Sequence, residues 1–207
     1  MPGACSLAGL IVLQWTGASH DVARMSLQGI KSPEYLAINA GGTVPLLQHG
    51  DLSLTENVAI LGYLADLYPQ ARLLGDGTPR GRAEVMRWLG FLNSDVHKAF
   101  KPIFSPARFL PDPAFAPRLA EAARGRVREH LERLDDRLEG REWLTGERSI
   151  ADAYLFVLGR WSVHKGVDMQ GLDNLARFSE RMDRDAGVQA ALAAEGSAPA
   201  NPSRARA

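Results

Sequence analysis

Only one of the 207 residues is a cysteine, Cys5. A lone cysteine forms no internal disulfide, which excludes a secreted scaffold stapled by cross-links and excludes two-cysteine dithiol chemistry. No apolar run approaches the roughly eighteen residues of a membrane-spanning helix, and Met1-Pro2-Gly3-Ala4-Cys5-Ser6 lacks the basic start of a secretory signal. A reducing cytoplasm is the expected location. Net charge is missing too: 24 Lys plus Arg face 24 Asp plus Glu. That balance gives no electrostatic reason for a nucleic-acid or anionic-membrane partner. His20, His49, His130 and His164 keep no metal-ligand spacing with Cys5 or with one another, so no metal is expected. Walker A, G-x-G-x-x-G and G-x-S-x-G patterns are absent, as are internal repeats.

What is present divides the chain in two. Leu7, Leu10, Ile11 and Leu13 cover most of a helical surface over 7–14, with Gly17 as its stop. A short strand is expected over Val22 to Leu27, and Ser32-Pro33-Glu34 opens a short helical segment. Two apolar runs, 43–48 and 52–54, flank His49-Gly50-Asp51 and read as a β-hairpin. Thr55 is the expected N-cap of a helix from Glu56 to about Leu67, which Pro69 ends. From Pro79 onward helical spacing takes over. A long helix is expected over Arg80 to Phe100, another from Pro117, and a third from the capping-box-like Ser149-Ile150-Ala151-Asp152 to about His164. Shorter helices are expected at 172–182 and 188–192. The reading is an α/β segment followed by an all-helical one, joined near Leu74 to Thr78.

Four places carry candidate chemistry. Cys5 stands where an apolar helix begins, so helix N–H groups and the dipole favour a thiolate, its own or a ligand's; a lone cysteine also serves simply as a small buried hydrophobe. A cis bond at Val44-Pro45 turns backbone groups outward to pair with a peptide ligand, whereas an ordinary edge-strand proline needs no function. Glu56-Asn57 lies in a first helical turn, suited to a ligand with an ammonium and a carboxylate, or merely to helix-start preference. His97-Lys98 falls late in a long helix, where the dipole favours basic residues without any function.

The order of these elements is more specific than any one of them. Pro2-Gly3-Ala4-Cys5-Ser6-Leu7-Ala8, Val44-Pro45, Leu54-Thr55-Glu56-Asn57-Val58-Ala59-Ile60, His97-Lys98-Ala99-Phe100 and Ser149-Ile150-Ala151-Asp152-Ala153-Tyr154 resemble the beta-class bacterial glutathione transferases. The resemblance runs from Pro2 to about Gly196. It implies a thioredoxin-like α/β N-terminal domain over 1–73, an all-α C-terminal domain over 79–195 and a disordered tail over 196–207, assembled as a homodimer. It implies glutathione as co-substrate, conjugated to small, largely apolar electrophiles in detoxification. Carried over residue by residue, Cys5 lies beside the glutathione sulfur, where a mixed disulfide is one outcome. Val44 pairs with the cysteinyl backbone ahead of cis-Pro45, and Glu56 and Asn57 hold the γ-glutamyl end. His97 and Lys98 approach the thiol, and Phe104 and Trp161 line the electrophile pocket.

The chain departs from the family pattern at three points. Asn57 stands where the family usually has Ser or another small residue. Ala40-Gly41-Gly42 stands where a Pro-Lys is frequent, so one basic contact to glutathione is expected to be missing. Family members also carry a short strand ahead of Pro-Gly-Ala-Cys, where here Met1 stands directly against Pro2. The first strand is therefore expected to be missing from the sheet, leaving Val22 to Leu27 without its neighbour, and a start a few residues upstream of Met1 is the expected explanation. Two alternatives keep the same residues: a non-catalytic ligand-binding relative, and a glutathione-dependent thiol oxidoreductase working through Cys5 alone.

Overall fold

The computed structural model describes residues 2–196; apart from Gly196, the tail expected over 196–207 lies outside the described residues, as does Met1. Helix α1 (Leu7–Thr16) buries Leu7, Ala8, Gly9, Ile11 and Val12 and ends at Gly17, whose φ of 70° is the left-handed stop expected there. Helix α2 (Pro33–Ile38) is capped by the Ser32 hydroxyl, which accepts from the Tyr35 N–H at 3.3 Å. Strands β1 (Leu46–His49) and β2 (Leu52–Thr55) pair antiparallel, Leu46 opposite Thr55 and His49 opposite Leu52. Gly50 alone in the two-residue loop has positive φ, 60°, the pattern of a type II′ hairpin. Helix α3 (Asn57–Leu67) follows.

Two expectations fail in this region. Val22 to Leu27 is irregular, not a strand, because the sheet among the described residues has only β1 and β2. Residues 18–25 face β1 across a cleft of about 580 Å³, floored by Leu10, Leu13, Ile60 and Leu64. Among the described residues no strand pairs with them. Thr55 is not the helix cap but the last residue of β2; the cap position falls to Glu56, at φ 68° and without a side-chain capping bond.

Beyond Pro79 the described residues contain helices and no strand. Helix α4 (Pro79–Phe91) runs into one π-helical turn, Leu92–Val96, and then α5 (His97–Ala99) and α6 (Lys101–Phe104). The expected single helix over 80–100 is thus continuous but widened just ahead of His97. Helix α7 (Ala116–Leu138) buries Val127, Leu131, Leu134 and Leu138 on one stripe, while α9 (Asp173–Arg184) and α10 (Ala186–Glu195) close the bundle.

Helix α8 (Ile150–His164) is the centre of the molecule, buried without interruption from Ile150 to Leu158. It touches α1, α3, α4 and α9, so an all-round apolar surface is what its place demands. The Asp152 carboxylate accepts from the Ser149 N–H at 2.8 Å, the Ser149 hydroxyl at 2.7 Å and the Leu144 N–H at 3.0 Å. The expected reach of Asp152 back to the cap is therefore present. Beside it, the Ile150 N–H bonds the Leu73 carbonyl at 3.1 Å, tying the start of α8 to the front of the molecule.

Candidate functional site

The segment 2–6 turns tightly into α1 and is held at both faces. The Gly3 N–H donates to the Glu195 carboxylate of α10 at 3.2 Å, and the Trp161 indole N–H of α8 donates to the Gly3 carbonyl at 2.7 Å. Within the turn the Leu7 N–H bonds Ala4 O and the Ala8 N–H bonds Cys5 O, each at 3.2 Å. The Leu7 and Ala8 amides are therefore spent on the turn itself, which leaves those of Cys5 and Ser6 to face the sulfur.

Cys5 behaves as a thiol. Its Sγ donates to the Val44 carbonyl at 3.6 Å, an arrangement a thiolate would lose. Burial pushes the thiol up to about 11, a rise that its own N–H and the Asn57 amide offset only in part. Of the two thiolates the sequence allows at this helix end, its own or a ligand's, desolvation disfavours that of Cys5 itself.

Across from Cys5, the Val44–Pro45 peptide is cis. Tyr35 Oη and Asn39 Nδ2 both donate to the Thr43 carbonyl, at 2.6 and 2.9 Å, which pins the approach to Val44. The Val44 N–H finds no acceptor among the described residues. Gly42, one of the two glycines in the departure from the family pattern, has φ 55°, and a Cβ there would lie 2.9 Å from the Ile30 carbonyl. Glycine is required at that turn, and Lys31 Nζ bonds the Gly42 carbonyl at 2.9 Å.

Glu56 and Asn57 start α3. Glu56 is exposed and holds a backbone conformation rare for any residue but glycine, while no side chain caps the first-turn N–H groups behind it. Asn57 is only 3% exposed. Its Nδ2 donates to the Cys5 carbonyl at 3.2 Å, and its Oδ1 is buried with no partner among the described residues.

His97 comes in from α5. Its ring lies edge-on to Trp161, with centroids 4.8 Å apart, and its Nδ1 is hydrogen-bonded to the Tyr154 hydroxyl of α8. Burial, and then the charge on Lys101, lowers its pKa to about 4. His97 is therefore a neutral imidazole at physiological pH. Lys98 is exposed and makes no ion pair among the described residues; the structure does not bring it to the cluster. Phe104, Phe100 and Trp161 form an aromatic group with His97, Phe104 to Trp161 at 5.0 Å and Phe100 to Trp161 at 5.5 Å.

Three participants were not singled out from sequence. Glu195 lies three residues beyond the helix expected over 188–192, which the structure extends to it. Tyr154 stands within a quoted motif but without a role. Asn93, whose Oδ1 accepts from Tyr154 Oη at 3.2 Å, is four residues before His97, a spacing that puts both on one helical face and was the available signal.

Comparison with known proteins follows this geometry. Residues 9–72 match the family model "Glutathione S-transferase, N-terminal domain". The chain is 48% identical over 196 residues to a glutathione S-transferase of Xanthomonas campestris pv. campestris, covering 94% of this chain and 96% of that protein. It is 36% identical over 204 residues to the glutathione S-transferase GstA of Escherichia coli O157:H7, covering 94% and 96%. Among solved structures it resembles a glutathione S-transferase from Xylella fastidiosa with a TM-score of 0.92 at 48% identity, covering 96% and 97% of the two chains. A sphingomonad glutathione S-transferase complexed with glutathione matches at 0.83 and 36%, covering 95% and 97%. The bacterial beta-class enzyme of Sphingomonas chungbukensis matches at 0.85 and 39%, again covering 95% and 97%.

Proposed function

Since this chain belongs to the glutathione S-transferase family and is a glutathione transferase, we propose that it joins the glutathione sulfur to small, largely apolar electrophiles, with His97 as general base. The observation that carries the reading is the pairing of an open backbone edge at Val44 with a neutral, half-buried imidazole at His97. The edge suits a peptide and the imidazole accepts a proton from its thiol.

In this mechanism the cysteinyl part of glutathione pairs with the Val44 N–H as an added strand pairs with a sheet edge. The γ-glutamyl carboxylate sits at the uncapped first turn of α3, the ammonium meets Glu56, and the orphan Asn57 Oδ1 accepts a ligand donor. The sulfur lies beside Cys5. His97 takes its proton as the bond to the electrophile forms, and Trp161 with Phe104 covers the apolar co-substrate. The raised pKa of the half-buried Cys5 thiol speaks against a Cys5-based oxidoreductase route, which needs a thiolate. Detoxification of such electrophiles, a cytoplasmic location, a homodimer and two units over 1–73 and 79–195 belong to the same proposal; no helix among the described residues is long and apolar enough to cross a membrane.

The test is conjugation turnover with an aryl halide in the wild-type protein and in His97→Ala. A loss of about a hundredfold or more in kcat supports the reading; unchanged turnover overturns His97 as base. Light scattering at working concentration checks the dimer.

A further inference from the structure

We propose that Asn93 and Tyr154 are positioning residues that hold His97 in the tautomer with its proton on Nδ1, leaving Nε2 bare to accept the glutathione proton. The inference rests on the reading of His97 as the base and adds the device that sets which nitrogen does the work.

A phenol carries one hydrogen. The side-chain orientation that sets the Asn93 Oδ1, and not its Nδ2, 3.2 Å from the Tyr154 hydroxyl assigns that hydrogen to Asn93. Toward His97 Nδ1, its other partner, the same oxygen has only lone pairs to offer. Nδ1 must then be the donor, and the neutral ring has its lone pair on Nε2. A histidine base is commonly oriented by a carboxylate at the far nitrogen. Here the orienting group is a neutral phenol backed by an amide, which fixes the tautomer without placing a negative charge beside the ring.

The surroundings hold this arrangement in place. Tyr154 is fully buried on α8, the most enclosed helix of the molecule, and burial raises its own pKa, so the phenol stays protonated. Asn93 and His97 both lie on the helix that faces it, at either end of the π-helical turn Leu92–Val96. Such turns often mark functional sites; this one brings both side chains onto a single hydroxyl. Trp161 closes the ring's other side, edge-on at 4.8 Å.

The test reads the tautomer directly, by long-range proton–nitrogen correlation NMR of protein labelled with ¹⁵N at histidine. The wild-type spectrum is expected to show His97 protonated on Nδ1 and bare on Nε2. Tyr154→Phe removes the acceptor and is expected to give a mixture of tautomers. Asn93→Leu frees the phenol proton to turn toward Nδ1 and is expected to invert the tautomer while leaving Tyr154 in place. Both variants should lose about tenfold or more in kcat, with KM for glutathione within about twofold of wild type. Thermal melting confirms that each is folded, and Asn93→Leu serves if Tyr154→Phe is not. A wild-type His97 protonated on Nε2, or a tautomer and kcat unmoved by Asn93→Leu, overturns the proposal. A tautomer that inverts with kcat unchanged instead overturns His97 as the base.

Discussion

In the proposed site the front of the molecule, residues 2–67, brings backbone groups together with the side chains of Cys5, Glu56 and Asn57, whereas the helical region 79–164 brings side chains alone. Val44 offers an unpaired N–H, Gly3 is clamped through its peptide groups, and α3 presents an uncapped first turn. His97, Tyr154 and Trp161 come instead from packed helices, held by one another through a hydrogen bond and ring contacts. The front is also the thinner construction, with two strands and a cleft beside them. The rear is organised around α8, which has almost no exposed surface over its first nine residues. In the proposed mechanism, recognition of a peptide-like ligand uses an exposed backbone edge, while partial burial keeps the imidazole neutral. One fold supplies both by docking a sparse sheet region on a dense helical one.

That division is broken most severely at its hinge. Asp152→Ala is expected to cost about 3 kcal/mol or more, because three buried donors lose their acceptor. Urea denaturation measures the loss, and Asp152→Asn should recover part of it. Acid acts on the rear next. The unfolded chain protonates a histidine near 6.5, while His97 in the fold waits until about 4. The folded state thus binds fewer protons in that window. Stability is full above pH 6.5 and falls as pH drops toward 4, by about 3 kcal/mol from this residue. The component is read as the difference in unfolding free energy between wild type and His97→Gln across that range.

Smaller changes sharpen the contrast. Trp161→Phe keeps the ring packing but removes the indole bond to Gly3; a loss of about 1 kcal/mol in stability is expected, with weaker glutathione binding as the front turn loosens. Lys98→Ala, at an exposed position, should change kcat/KM by less than about threefold. Cys5→Ala should do little more to conjugation, since the thiol is protonated and bonded to Val44. A loss of tenfold or more there would give Cys5 a role in the chemistry that its environment does not support.

Much of the rear was legible in the sequence because helices advertise themselves by period. Val127, Leu131, Leu134 and Leu138 keep one stripe, and Ser149 with Asp152 announces the start of α8. At the front, the hairpin and the stop at Gly17 were legible for equally local reasons. Val22 to Leu27 was not, because a strand exists only where a neighbour pairs with it, and pairing is a property of the sheet and not of the segment. The site residues were marked mainly by order along the chain. Their ionisation was not legible: burial, which lifts the Cys5 thiol and lowers the His97 imidazole, is invisible until the helices are packed. Asn93 and Tyr154 are 61 residues apart, and no local pattern connects them.

The central claim is that binding of glutathione belongs to the front backbone and proton transfer to His97. Calorimetric titration of glutathione into wild type and into His97→Ala, beside the turnover of each, tests it most directly. The two proteins should bind glutathione with Kd values within about threefold of each other, while kcat falls by about a hundredfold. A Kd that weakens in step with kcat would contradict it, because His97 would then be part of the binding site and not the separate base.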